Sequence, residues 1–218
     1  MTHEIAKTSM VALVPAGVRC FEQVGRLYGN LFPDEARLLS PRTVSKRREE
    51  FAAGRTCARK ALSMLGVPPV PLLQGELHEP LWPEGVVGSI THCSSYCAAT
   101  VARVKDCRSI GIDAEPNEPL EPGLLSIIAR DREREWVTQS TETSVCWDRL
   151  LFSMKESVYK TWYPLERRWL GFEDAEIEVD LAMHSFQVKV LAPSSVCPPV
   201  LHGTFGWTRS HLFTVVTV

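Results

Sequence analysis

The sequence predicts an α+β fold made of two similar lobes, each with a helix packed on a small, mainly antiparallel sheet. Two stretches carry apolar residues near the helical period, 42–65 and 146–163. Each precedes runs of strand length, within 86–114 and 175–218. We therefore predict an N-terminal lobe at 1–112 and a C-terminal lobe at 113–218, which together form one functional unit.

Composition is that of an ordinary globular protein. Of 218 residues, 44% are hydrophobic and 23% charged, and the net charge of -2 gives no reason to expect nucleic acid or membrane as a partner. No apolar run reaches the ~18–20 residues that span a bilayer, and the N-terminus lacks the pattern of a secretory signal. Seven scattered cysteines favour a reducing, cytoplasmic setting.

In the first half, residues 1–33 are predicted to be irregular or to form short strands, and Pro33 begins a short helix that runs through Leu39. The first long helix then runs from Arg42 to Leu65, where Gly66 ends it. A proline-rich connection follows at 68–85. The predicted strands of this half are 86–92, 96–104 and 109–113.

The second half begins with two helices, 123–129 and 131–139, and a polar loop at 140–145. The second long helix follows at 146–163, and Pro164 is expected to end or bend it. Four runs that are apolar, or that alternate apolar and polar residues, then predict strands at 175–180, 185–191, 201–208 and 212–218.

The first long helix has a basic face. Its cations are Lys46, Arg47, Arg48, Arg55, Arg59 and Lys60. Arg47 and Arg55 are eight residues apart and project to roughly the same side of the helix. Such a face is either simply solvated or a clamp for phosphate, because the forked donors of arginine suit a dianion.

Three acids point to a hard cation. Asp113 ends a predicted strand, and the two-residue period places Glu115 on the same face. Glu156 lies one helical turn before Lys160. Alone, these residues fit an acidic turn and a surface ion pair. Together, three carboxylates repel one another unless a cation such as Mg²⁺ or Mn²⁺ neutralises them, and Lys160 and His92 could then bind phosphate.

His92, Cys93 and Cys97 suggest two other kinds of site. A structural zinc site would need a second close pair of ligands, which is missing. A cysteine hydrolase would need His92 and Cys93 to meet, whereas neighbours on a strand point to opposite faces. Both interpretations are therefore disfavoured.

Three stretches carry a family resemblance: 88–93 (GSITHC), 110–115 (IGIDAE) and 152–160 (FSMKESVYK). They resemble, in order and spacing, the three motifs of the surfactin-type phosphopantetheinyl transferases. The run at 169–174 (WLGFED) is similar to the enterobactin-synthetase-component-D-like branch with its actinobacterial members. The resemblance extends from about Lys46 to the end of the chain.

The resemblance implies the 4′-phosphopantetheinyl transferase fold and activity. Such an enzyme moves the phosphopantetheine arm of coenzyme A to a serine of an apo acyl or peptidyl carrier protein and releases adenosine 3′,5′-bisphosphate. It implies Mg²⁺, with Mn²⁺ possible, and carriers of polyketide, nonribosomal peptide and fatty-acid synthases as partners. It also favours a monomer and gives no role to nucleic acid or membrane.

Roles follow from the resemblance, residue by residue. Asp113, Glu115 and Glu156 would hold the metal, and the catalytic residues would be Glu156 as general base, Lys160 and Asp113. The residues that would contact coenzyme A are Arg47, Arg55, Gln74, Ser89, Thr91, His92 and Lys160. Gln74 departs from the pattern, since related sequences often have a basic residue there.

Two expectations concern partners and alternatives. Carrier proteins are acidic, so Arg130, Arg132 and Arg134 are candidates for a docking surface. A non-catalytic module that binds coenzyme A or a nucleotide is the alternative function. It would need the arginines and His92 but not Glu156.

Overall fold

The computed structural model describes residues 9–218, so the predictions for residues 1–8 lie outside it. Two helices of 20 residues each dominate it, α3 and α6. The helices are α1 Met10–Leu13, α2 Pro33–Ala36, α3 Ser45–Met64, α4 Leu124–Ile128, α5 Asp131–Gln139 and α6 Trp147–Glu166. Among these helices, none is both long enough and apolar enough to cross a bilayer.

The strands form two antiparallel sheets. They are β1 Arg19–Val24, β2 Val86–Cys93, β3 Tyr96–Arg103, β4 Ile110–Pro116, β5 Ala175–Asp180, β6 Ser185–Val190, β7 Val200–Trp207 and β8 His211–Thr217. The first sheet has the order β1-β3-β2, and the second has the order β4-β8-β7-β6-β5. The α+β prediction is therefore confirmed.

Each long helix buries its apolar stripe on one sheet. Cys57, Ala61 and Leu62 of α3 pack with β3 in one core, and Leu150 and Trp162 of α6 lie in the core of the five-stranded sheet. All five side chains have 0% of their surface exposed. Burial of such faces, rather than helix propensity, supplies most of the stability of these helices.

Side-chain hydroxyls join the two sheets. Ser89 Oγ of β2 accepts a hydrogen bond from the Ile112 amide of β4 at 3.1 Å, and Thr91 Oγ1 accepts one from the Ala114 amide at 3.0 Å. Both hydroxyls are buried, where loss of a hydrogen-bond partner would be costly. The predicted boundary between residues 112 and 113 falls inside β4, and the division into two lobes stays a prediction.

Gly111 lets β4 approach α6 closely. A Cβ at this position would lie 2.0 Å from the Ser157 carbonyl oxygen, which is far inside van der Waals contact. The close approach brings β4 against α6. Strand and helix can therefore present side chains to the same space. Asp113, which was predicted to end its strand, lies in the middle of β4.

The structure differs from the predicted elements at Pro164. Helix α6 continues through Pro164 to Glu166 and ends where Arg167 adopts a left-handed conformation, with φ of 53°. Pro164 cannot donate a hydrogen bond to the carbonyl four residues earlier, but only two helical residues follow it, so little of the helix depends on that bond. Strand β1 pairs with β3 from Arg19 to Val24, which agrees with the short strands predicted within residues 1–33.

Candidate functional site

A cleft of about 500 Å³ lies between α6 and residues 77–90. Glu156 and Lys160 line it on successive turns of α6, and Ser89 lines it from β2. Aromatic side chains such as Trp82 and Tyr159 form part of its wall. The cleft thus places a carboxylate and an ammonium group beside an apolar surface, which is a suitable arrangement for a ligand with a charged end and an apolar arm.

Asp113 lies where β4 meets α6. Lys160 Nζ donates to Asp113 Oδ1 at 2.7 Å and to the Ile112 carbonyl at 3.1 Å. Thr91 Oγ1 also donates to Asp113 Oδ1, at 3.3 Å. The second oxygen, Oδ2, is buried and has no hydrogen-bond partner among the described residues. A buried carboxylate oxygen without a partner is costly, so this atom is suited to a bound cation.

Glu115 and Glu156 carry the second and third carboxylates. Burial, then the charge of Asp113, raises the pKa of Glu115 to about 7, against the opposing effect of Arg149. Burial also raises the pKa of Glu156, with Asp113 adding to the shift and Lys160 opposing it. The charge of Asp113 therefore disfavours ionisation of both Glu115 and Glu156.

The fit of a metal can be tested on these residues. Within residues 9–218, no three His, Cys, Asp or Glu side chains converge closely enough to hold an ion. The donors are nevertheless all oxygens, and Oδ2 of Asp113 is buried without a partner. Carboxylate oxygens are the preferred ligands of Mg²⁺ and Mn²⁺. The residues fit a hard divalent cation in kind, and the ligand set stays a prediction.

His92 joins Arg47 to this region. Arg47 Nη1 lies 3.1 Å from His92 Nε2, and guanidinium can only donate, so Nε2 is the acceptor and Nδ1 carries the proton. Nδ1 faces Glu50 Oε2 at 3.9 Å. Burial lowers the pKa of His92. His92 is thus a neutral donor through Nδ1, and Arg47 keeps an exposed cation beside it.

Arg55 is a buried cation. Its side chain lies 4.4 Å from the centre of the Phe51 ring, and only 4% of the residue is exposed. The buried Nε and Nη2 have no hydrogen-bond partner among the described residues. Burial is the main cause that lowers the pKa of Arg55 to about 10; the charge of Glu35 opposes this shift, and the charges of Arg59 and Arg47 add to it. A buried guanidinium with free donors favours an anionic ligand.

The other predicted contacts with coenzyme A are used within the protein. The Ser89 and Thr91 hydroxyls join β2 to β4, as described above. Gln74 Nε2 donates to the His78 carbonyl at 3.2 Å and so stabilises the turn that leads into the cleft wall. Their roles toward coenzyme A stay predictions.

Sequence reasoning missed the partners of Lys155. Its Nζ lies 2.7 Å from Glu133 Oε2 and donates to the Phe172 and Ala175 carbonyls, while both charged side chains are almost fully buried. Lys155 therefore fixes α6 to α5 and β5. In the sequence, only the adjacent Glu156 draws attention to Lys155. Because neighbours on a helix point in different directions, that adjacency does not indicate which residues Lys155 contacts.

The predicted docking arginines are largely engaged. Arg134 pairs with Asp131, Arg130 donates to the Glu173 carbonyl at 2.7 Å, and Arg132 lies 4.0 Å from Glu176. Only Arg132 combines an exposed side chain with a long, weak contact. The docking surface stays a prediction, with Arg132 as its most available cation.

Two family models match the chain. Residues 34–102 match the 4′-phosphopantetheinyl transferase N-terminal domain, and residues 109–199 match the 4′-phosphopantetheinyl transferase superfamily. The first match covers α3, β2 and nearly all of β3, and the second covers the three acids and α6.

Relatives agree with the family models. The chain is 51% identical over 168 residues to 4′-phosphopantetheinyl transferase Svp of Streptomyces mobaraensis, a match that covers 76% of this chain and 68% of Svp. It is 46% identical over 170 residues to 4′-phosphopantetheinyl transferase Npt of Nocardia iowensis, and the match covers 78% of this chain and 76% of Npt. It is 37% identical over 142 residues to enterobactin synthase component D of Salmonella typhi, and the match covers 64% of this chain and 58% of that relative. The chain therefore belongs to the 4′-phosphopantetheinyl transferase superfamily and is an enzyme of that activity.

Proposed function

We propose that the chain transfers the phosphopantetheine arm of coenzyme A to a serine of an apo carrier protein, with Glu156 as general base. One observation carries this assignment: Glu156 and Lys160 line the cleft together, and Lys160 is bonded to Asp113. The base, the phosphate-binding cation and the acid that orients it are then within reach of one ligand.

The proposed reaction is a phosphoryl transfer. The serine oxygen forms a bond to the β-phosphorus of the coenzyme A pyrophosphate while its proton passes to Glu156. The bond from that phosphorus to the bridging oxygen breaks, and adenosine 3′,5′-bisphosphate leaves. Lys160 stabilises the charge that gathers on the leaving group and supplies a proton to it.

Asp113, Glu115 and Glu156 are the proposed ligands of Mg²⁺, with Mn²⁺ as an alternative. When bound, the metal would neutralise charge on the pyrophosphate. The protein residues would keep distinct tasks: Asp113 would orient Lys160, while Arg47, Arg55 and His92 would bind phosphate groups of coenzyme A. The aromatic wall of the cleft would take the pantetheine arm.

Carrier proteins of polyketide, nonribosomal peptide and fatty-acid synthases are the proposed acceptors, and a monomer is the proposed working form. The direct test is mass spectrometry of several apo carriers incubated with the enzyme, coenzyme A and Mg²⁺. We expect a gain of roughly 340 Da on one serine, the mass of the arm. A carrier with that serine changed to alanine is the control, and no gain on any carrier would contradict the assignment.

Mg²⁺ should raise the thermal stability of the protein, and by more at pH 8 than at pH 6. Because the pKa of Glu115 is raised to about 7, its ionisation destabilises the fold as pH rises through that value. A divalent cation offsets this cost only when the acid is ionised. At ten times its dissociation constant, Mg²⁺ would contribute about 1.4 kcal/mol.

Thermal unfolding with and without Mg²⁺ at both pH values measures this effect. In Asp113→Asn, the Mg²⁺-dependent shift should be lost. A shift of equal size at the two pH values, or one retained in Asp113→Asn, would contradict the proposed ligand set.

A further inference from the structure

Arg149, in the first turn of α6, connects Glu115 to the loop that follows β4. Its Nη1 donates to Glu115 Oε2 at 3.3 Å. Its Nε donates to the Glu118 carbonyl at 3.2 Å, and its Nη2 donates to the Pro119 carbonyl at 2.9 Å. Only 15% of the side chain is exposed. All three nitrogens of the guanidinium thus have partners, which holds its plane in one orientation.

This arrangement orders a carboxylate that would otherwise be free to rotate. Glu115 lies next to the last residue of β4, so the strand fixes its backbone but not the end of its side chain. The bond from Arg149 uses Oε2, and no described donor bonds Oε1. A fixed carboxylate with one oxygen engaged and the other available is the usual state of a metal ligand held by a neighbouring residue.

We infer that Arg149 is a positioning residue for metal binding, because it holds Glu115 by one oxygen and leaves the other for the cation. This inference rests on the proposed function, in which Glu115 is a metal ligand. Arg149 does not contact the substrate in this view. Because Arg149 already restrains the Glu115 side chain, Glu115 loses less conformational entropy when it binds the ion.

A purely structural role of Arg149 makes a different prediction, and Asp148 provides the matched control. Asp148 Oδ2 accepts a hydrogen bond from the Leu120 amide at 2.9 Å. Asp148 therefore ties the same loop to the same helical turn without a bond to Glu115. If Arg149 only held the loop, removal of either side chain would have the same effect.

Mn²⁺ binding to the full chain with coenzyme A present tests the inference, measured by the electron paramagnetic resonance signal of free Mn²⁺. Arg149→Met keeps the aliphatic stem and should weaken Mn²⁺ binding about 10–100-fold, as expected when a group that orients a ligand is lost. The affinity for coenzyme A without metal should stay within about twofold of the wild type. Arg149→Lys keeps the charge but not the forked donors, so its affinity for Mn²⁺ should lie between those of Arg149→Met and the wild type.

Asp148→Ala should bind Mn²⁺ within about twofold of the wild type, as a residue outside the ligand set. Unchanged Mn²⁺ binding in both Arg149→Met and Arg149→Lys would overturn the inference. Equal weakening in Asp148→Ala would also overturn it, because the loop would then be the cause. Wild-type Mn²⁺ binding in Asp113→Asn and Glu115→Gln would instead overturn the metal site itself. Thermal unfolding of each variant shows whether it is folded.

Discussion

Glu156→Gln should lower the rate of transfer to the carrier about 10²–10⁴-fold, the usual contribution of a positioned general base. The substitution keeps the size and the hydrogen-bonding shape of the side chain. It removes the carboxylate that we propose as acceptor of the serine proton. Burial raises the pKa of Glu156, which makes its carboxylate a stronger base. Single-turnover transfer, followed by mass spectrometry of the carrier, measures the chemical step directly.

Coenzyme A binding distinguishes an enzyme from a binding module. Without metal, the affinity of Glu156→Gln for coenzyme A should stay within about threefold of the wild type, because the phosphate contacts assigned to Arg47, Arg55 and His92 are unchanged. Glu178→Gln, at an exposed position on β5, is the matched control and should transfer at the wild-type rate. Wild-type transfer by Glu156→Gln would rule out the proposed base and would favour the binding module.

The fold could be predicted largely from periodicity. Both long helices were placed within a few residues, because their apolar stripes are strong and turn residues flank them. Strands β5 to β8 were also predicted within about one residue at most ends, since they alternate or are bounded by turn residues. The end of α6 was predicted too early, because the helix continues through Pro164 to Glu166.

The sequence names residues for the candidate site, and only the structure gives their contacts. The three acids and Lys160 follow from motif order. Lys160 bonds Asp113, whereas Lys155 points to Glu133. Which partner each lysine contacts depends on the orientation of α6 against its neighbours. The tie between Arg149 and Glu115 joins residues 34 positions apart. No local pattern specifies such a pair, because tertiary packing selects it.

Arg55→Met should weaken coenzyme A binding and stabilise the free protein at the same time. The guanidinium is buried, and its Nε and Nη2 have no hydrogen-bond partner within residues 9–218, so the free protein bears a desolvation cost that a phosphate would offset. Loss of a buried, charged partner costs at least about 2 kcal/mol of binding, or roughly 30-fold in dissociation constant. Methionine keeps an unbranched stem against Phe51, so the melting temperature of the free protein should rise by about 3 °C.

Calorimetry with coenzyme A and with 3′-dephospho-coenzyme A tests where Arg55 acts. If Arg55 binds the 3′-phosphate, the variant and the wild type should bind the dephospho ligand with equal affinity, since the partner of Arg55 is missing in both cases. Arg59→Met is not a suitable control, because Arg59 pairs with the buried Glu35 at 2.8 Å. Arg48→Met, at an exposed position on α3, is suitable and should change neither affinity nor stability. An equal loss of affinity for both ligands would place Arg55 elsewhere on coenzyme A. A lower melting temperature of the free variant would mean that Arg55 stabilises the fold, and that its buried charge is not held ready for a phosphate.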